Sequence, residues 1–190
     1  EAAQKRRFGV YGMNAIWQSF PNLDGFIACN HEYYDHYWDK GLSETPCPKW
    51  TWDKACADKY GINHIEGKWA DGFSRDPKFI HLGHSSGFQC PQLAYHAGYR
   101  RLLLCGYDMR YASDYDGRSQ RIGSMPRHFF GEYPEPLRHW PSSKVKSGVH
   151  VELIEQFEKV KTLHPELEII NCSPGSAMTC FPMGHLEDYV

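Results

Sequence analysis

Apolar runs of four to six residues recur along the chain, and each stops at a small or polar residue. Phe8–Met13 ends at Asn14, and Asp24–Cys29 ends at Asn30. Phe79–Leu82 is the briefest. Arg101–Cys105 holds three consecutive leucines and runs into Gly106-Tyr107-Asp108, and Leu167–Asn171 comes last. Short apolar runs bounded by turn residues suit strands buried on both faces, the usual condition in a parallel sheet.

Helical stretches alternate with these runs. Ala15–Phe20 makes a short one, and His31–Lys40 ends at Gly41. Trp52–Tyr60 ends at Gly61, and a helix opened by Ser85 or Ser86 runs to Ala97 before Gly98. A Ser at the start and a Gly just past the end are helix start and stop signals with a backbone cause. Val149, Leu153, Phe157, Val160 and Leu163 fall at helical spacing, so a helix is expected over Val149–Leu163. Thr45–Trp52 is rich in Pro, Cys and Trp and reads as loop. The polar stretch 109–148 carries Gly, Pro, Arg and aromatics and reads as a long loop, a length that goes with function or disorder. The alternation predicts an α/β fold with a mostly parallel sheet. At 190 residues, the chain 1–190 is read as one domain.

That architecture points to a site before any motif is considered, because open parallel sheets bind ligands beyond the carboxyl ends of their strands. The residues expected there are Asn14, Asn30, His84-Ser85-Ser86-Gly87, Asp108 and Asn171-Cys172-Ser173. This set forms hydrogen bonds and holds a single acid, which suits a nucleotide or sugar better than a carboxylate-held Mg²⁺. Ser85-Ser86-Gly87 opens a helix, where N–H groups and the dipole favour an anion; an ordinary Ser cap accounts for the same residues. Asp108 either accepts from a sugar hydroxyl or makes an Asx turn with its own backbone. Arg110, Arg118, Arg121 and Arg127 follow, and the guanidinium fork suits phosphate. His128, next to Arg127, is the candidate general base or acid, because its ordinary pKa lies near neutrality. A solvated basic loop is the plainer reading of that segment. His31 and Asp35 share a helix face, but no His-Glu-x-x-His or Glu-x-x-His pattern accompanies them, so no metal is expected.

Charge and cysteine usage exclude some classes. With 21 Lys+Arg against 23 Asp+Glu, the net charge is −2, so no basic coat for nucleic acid surrounds the whole chain, although the Arg-rich loop is locally basic. No apolar run approaches the length of a membrane span. The seven cysteines form no CxxC pair, and Cys29, Cys105 and Cys172 lie in or at the ends of strand-like runs. They read as buried free thiols of a cytoplasmic protein.

The stretch Ser86 to Met109 combines Ser-Gly at a helix start, Ala-x-x-x-Gly-Tyr, and a strand ending in Gly-x-Asp. Gly12-Met-Asn14, Ala28-Cys-Asn30, the His-Phe-Phe-Gly segment at His128–Gly131, Asn171–Ala177 and Phe181-Pro182 extend the pattern. Together they resemble bacteriophage and bacterial proteins similar to the sialyltransferases of glycosyltransferase family 42. They also resemble a neighbouring superfamily that includes an archaeal hydroxymethyl-dihydropterin pyrophosphokinase. The resemblance implies a Rossmann-like three-layer fold and a metal-independent, cofactor-free transferase acting on a nucleotide-sugar donor. Asn14 and Asn30 would contact the nucleotide, and Ser85, Ser86, Gly87 and Ser173 would line the donor site. Asp108 would close the donor pocket, Arg110 and Arg127 would meet its phosphate, and His128 would be the general base. The acceptor would be a glycan or a modified base of phage DNA. The family's opening strand with its Gly-x-Gly-Pro-Ser turn has no counterpart here, so the expectation is a domain lacking an upstream first strand. Tyr107, Tyr111 and Tyr115 stand where tyrosines near a donor phosphate would be sought. Two rival functions are a Mg²⁺-dependent phosphoryl or pyrophosphoryl transferase and a non-catalytic nucleotide- or glycan-binding phage protein.

Overall fold

The computed structural model describes residues 8–110, 133–137, 144–146 and 148–190. Its first half is built on β1 (Tyr11–Met13), α1 (Ile16–Ser19), β2 (Gly25–Ile27), α2 (His31–Tyr37), β3 (Lys49–Thr51), α3 (Lys54–Tyr60) and β4 (Asn63–His64). The four strands pair in the order β1-β2-β3-β4, all parallel. Next come β5 (Glu66–Lys68) and β6 (Phe79–His81), which form a parallel pair. They are followed by α4 (Ser86–His96), β7 (Arg101–Leu104), the antiparallel pair β8 (Val145–Lys146) and β9 (Val149–His150), α5 (Val151–Leu163) and β10 (Glu168–Asn171). β7 and β10 pair in parallel, with Leu104 opposite Asn171. The chain is a mixed α/β structure of short, mostly parallel strands, as the alternating runs predict.

The expected helix ends hold: Gly41, Gly61 and Gly98 all have positive φ, and Ser85 caps α4 by accepting from the Phe88 N–H at 3.2 Å. Two expectations are corrected. The 45–52 segment is not all loop, because Lys49–Thr51 enters the sheet as β3 between β2 and β4. Lys49 is buried there, and its ammonium donates to the Thr45 and Cys47 carbonyls at 2.7 and 3.2 Å. Helix α5 starts at Val151 rather than Val149, because Val149 and His150 pair with β8 and the His150 N–H donates to the Met109 carbonyl. Leu153, Phe157 and Val160 are its buried face, while Leu163 is exposed.

Helix α4 sits at the centre. It packs on β1, β2, β6 and α5. Every residue from Phe88 to Tyr95 is buried, including Gln89, Gln92 and the in-helix Pro91. The Gln92 amide bridges the His81 carbonyl and N–H, tying the helix to β6. One core lies on the side of α4 that faces α5 and the β7–β10 ladder, where Phe88, Phe73, Phe157, Tyr107 and Phe181 meet in edge-on ring contacts. A second joins Cys90 and Leu93 to Ile27, Ile65 and Ile80. A third fills the space between β2 and α2 with Trp17, Phe26, Tyr33, Tyr34 and Tyr37. Much of the aromatic content is therefore packing. Among the described residues, no helix is long and apolar enough to cross a membrane.

Candidate functional site at the first turn of helix α4

Parallel strands leave their carboxyl ends on one edge, and here several of those ends converge on the first turn of α4. From β2, the Cys29 N–H donates to the Ser86 hydroxyl at 3.0 Å. From β1, Met13 lies beside Gly87, where an added Cβ would stand 3.6 Å from its sulfur. From β7, the buried Tyr107 hydroxyl donates to the Gly87 carbonyl at 2.9 Å. From β6, the chain turns through Gly83 and His84 directly into Ser85. Ser85 takes the Phe88 and Gln89 N–H groups, so Ser86 and Gly87 carry the leading N–H groups of the helix. These donors, with the positive end of an 11-residue helix behind them, favour an anion.

The other expected residues are distributed around this turn. Asn14 follows β1 with φ of 53°, and its carbonyl accepts from the Tyr33 hydroxyl at 2.6 Å. Asn30 is exposed at the start of α2 and makes no side-chain cap. Asp108 is exposed one residue beyond Tyr107, and its carbonyl accepts from the Ala177 N–H. Arg110 is exposed and bridges to Val149. Arg118, Arg121, Arg127 and His128 lie outside the described residues.

Ser173 is buried, and its hydroxyl has backbone partners. It accepts from the Tyr107 N–H at 2.8 Å and donates to the Leu104 carbonyl at 3.1 Å. Asn171 and Ser176 do similar work. The Asn171 amide holds the Met178 carbonyl and the Ser173 N–H, and the Ser176 hydroxyl donates to the Tyr107 carbonyl. The Asn-x-Ser-x-x-Ser segment is thus a bracket that fixes the end of β7, and so the position of Tyr107 under α4.

Two aromatic residues on the same edge were not expected. Trp52 follows β3 directly and Trp69 follows β5; they are 37% and 69% exposed. Trp69 lies against His84, with ring centroids 5.0 Å apart. His84 holds a φ of 66°, an uncommon conformation for a residue with a side chain. Trp52 neighbours the Cys29 thiol together with Ser86 and Gln89, and burial pushes that thiol up to about 11. The Trp in Lys49-Trp50-Thr51-Trp52 was the available signal, but it means a strand-end aromatic only once β3 is known.

Away from this edge, Asp35 accepts from Lys59 at 2.7 Å and from the Tyr60 hydroxyl. Lys59 is the main reason its carboxyl is held below the usual range. Among the described residues, no three His, Cys, Asp or Glu side chains are grouped to hold a metal ion. The seven cysteines are free; Cys47, Cys56 and Cys90 are buried, whereas Cys105 is exposed and Cys29 and Cys172 are half-buried. The expectation of three buried strand-end thiols is corrected accordingly: Cys105 and Cys172 directly follow β7 and β10, Cys29 lies two residues beyond β2, and none of the three is enclosed like Cys47, Cys56 and Cys90. No protein-family model matches the chain, and neither a curated protein nor a solved structure matches it.

Proposed function

We propose that this chain is a Rossmann-like, glycosyltransferase-like enzyme that binds a nucleotide-activated sugar at the carboxyl edge of its parallel strands. The observation that carries the reading is the convergence of the β1, β2, β6 and β7 ends on the first turn of α4. The donor's phosphates lie against the Ser86 and Gly87 N–H groups, with Asn14 and Asn30 available to the nucleotide. Gly87 has no side chain of its own to stand between its N–H and a phosphate. Trp52 and Trp69 offer flat faces to a sugar or base ring.

In the transfer, His128 takes the proton of an acceptor hydroxyl, and that oxygen bonds to the anomeric carbon. The bond from that carbon to the nucleotide phosphate breaks, and Arg110 and Arg127 receive the charge on the departing phosphate. Asp108 accepts from a donor hydroxyl. The acceptor is a glycan or a modified base of phage DNA.

A thermal-shift screen against nucleotide sugars, free nucleotides and ATP, with and without Mg²⁺, tests the binding step, because a ligand of the folded state raises the melting temperature. A shift with a nucleotide sugar in the absence of Mg²⁺ is expected, and no shift with any of them overturns the reading. A shift that needs both ATP and Mg²⁺ replaces it with phosphoryl transfer. His128→Ala should abolish nucleotide release in the presence of acceptor and leave the thermal shift intact. Unchanged turnover removes His128 from the mechanism.

A further inference from the structure

Cys105 and Cys172 are the residues immediately after β7 and β10. Those strands are parallel and in register, Leu103 opposite Ile170 and Leu104 opposite Asn171, so Cys105 and Cys172 are the next pair along the ladder. The pairing continues to them, because the Cys172 N–H donates to the Leu104 carbonyl at 2.8 Å. Side chains alternate along a strand. Leu102 and Leu104 are buried on the core face, which puts Leu103 and Cys105 on the opposite face together with Ile170 and Cys172. Neighbouring strands lie about 4.8 Å apart. That spacing is inside the roughly 4.4–6.8 Å Cα separation that a disulfide spans.

Both thiols are free in this structure, and Cys105 is exposed. Each lies close enough to affect the other's ionisation: burial raises both above the ordinary cysteine value, and Cys172 raises Cys105 further. Ser173, beside Cys172, ties the same two strand ends together through Leu104 and Tyr107, so the backbones are already held side by side.

We propose that Cys105 and Cys172 form a reversible disulfide that locks the ends of β7 and β10. The oxidant is a low-molecular-weight disulfide such as oxidised glutathione. One cysteine thiolate attacks it, forming a mixed disulfide and releasing one glutathione thiolate. The neighbouring cysteine, as its thiolate, then displaces the second glutathione and closes the intramolecular bond. The two protons lost by the cysteines end on the two glutathione thiols, and the two electrons lost by the cysteine sulfurs reduce the oxidant. Reduced glutathione runs the same two exchange steps backwards, so the bond forms and opens with the glutathione poise.

The test is to incubate the folded chain with oxidised glutathione and to map non-reduced peptides by mass spectrometry. A peptide joining Cys105 to Cys172, lost on return to reduced glutathione, is the expected result. In Cys105→Ser, the remaining Cys172 should instead carry glutathione, and Cys172→Ser should do the converse at Cys105. Cys90→Ser should leave the link unchanged. The wild-type mapping decides the matter even if a variant fails to fold. Separate glutathione adducts on both cysteines of the wild-type chain, no reaction at either, or pairing with other cysteines each overturns the proposal.

Discussion

Gly83 joins β6 to α4 with φ of +49°, and a Cβ built there would lie 1.9 Å from the Phe88 ring. Two costs therefore fall on any side chain at this position, a left-handed backbone and an overlap with a fully buried ring. Gly83→Ala should destabilise the protein by about 3 kcal/mol, a fall of about 6 °C or more in melting temperature. A denaturation curve superimposable on wild type would contradict this. Glu166 is a second residue with a defined job. Its carboxylate is held at about 2 by its own backbone N–H and by donation from Tyr95, His164 and Arg75. The His164 Nε2 accepts from the Phe73 N–H at 3.0 Å, so its ring proton is on Nδ1, facing Glu166 at 3.2 Å. A depressed carboxyl stabilises the fold above its unfolded pKa and loses that contribution as pH falls through the folded value. Glu166→Gln should therefore be less stable than wild type by at most about 1 kcal/mol at neutral pH, solvent screening limiting the effect. Urea titrations from pH 7 downward should show that difference persisting to about 4.5 and closing toward about 2. A pH-independent difference would mean that the carboxylate's charge contributes nothing.

Among the elements, α4 and α5 were the most legible. Their caps, stops and apolar spacing are local properties, and the structure departs from expectation only at the α5 start. β3 was hidden because the Pro, Cys and Trp content of 45–52 reads as loop. It becomes a strand only when the Lys49 ammonium finds two carbonyls and β2 and β4 flank it. β4 and β5 were hidden for a related reason: they are two and three residues long and largely exposed, with no apolar run to mark them. The candidate site shows the same division. Ser85, Ser86 and Gly87 were legible from the helix start, whereas Trp52 and Trp69 reach the site edge only through β3 and β5. Helix α5 supplies an element-scale prediction. Phe157 is fully buried and touches the rings of Phe73, Phe88, Tyr107 and Phe181. Phe157→Ala should cost about 3–5 kcal/mol in chemical denaturation. A loss under about 1 kcal/mol would mean that α5 does not bear on the core in this way.

At the scale of the whole molecule, α4 links what would otherwise be separate ladders. One of its faces meets β1, β2 and β6 through Cys90 and Leu93, and the other meets α5 and the β7–β10 side through Phe88. Cores that share one buried helix should unfold together. Calorimetry should show a single transition, and Leu93→Ala and Phe157→Ala, on opposite sides of α4, should both lower that same transition. Two separable transitions, each sensitive to only one variant, would show that α4 does not couple the ladders. The kinds of element, most of their stops and the polar residues that follow the strands are legible in the chain, because each depends on apolar runs, caps and turn residues only a few positions apart. Folding alone reveals which strand lies beside which, that Asn171 and Ser173 bracket β7, that Trp52 and Trp69 line the site edge, and that Cys105 lies beside Cys172. Those outcomes depend on pairing between residues far apart in the chain, and no local pattern encodes where a distant partner will be.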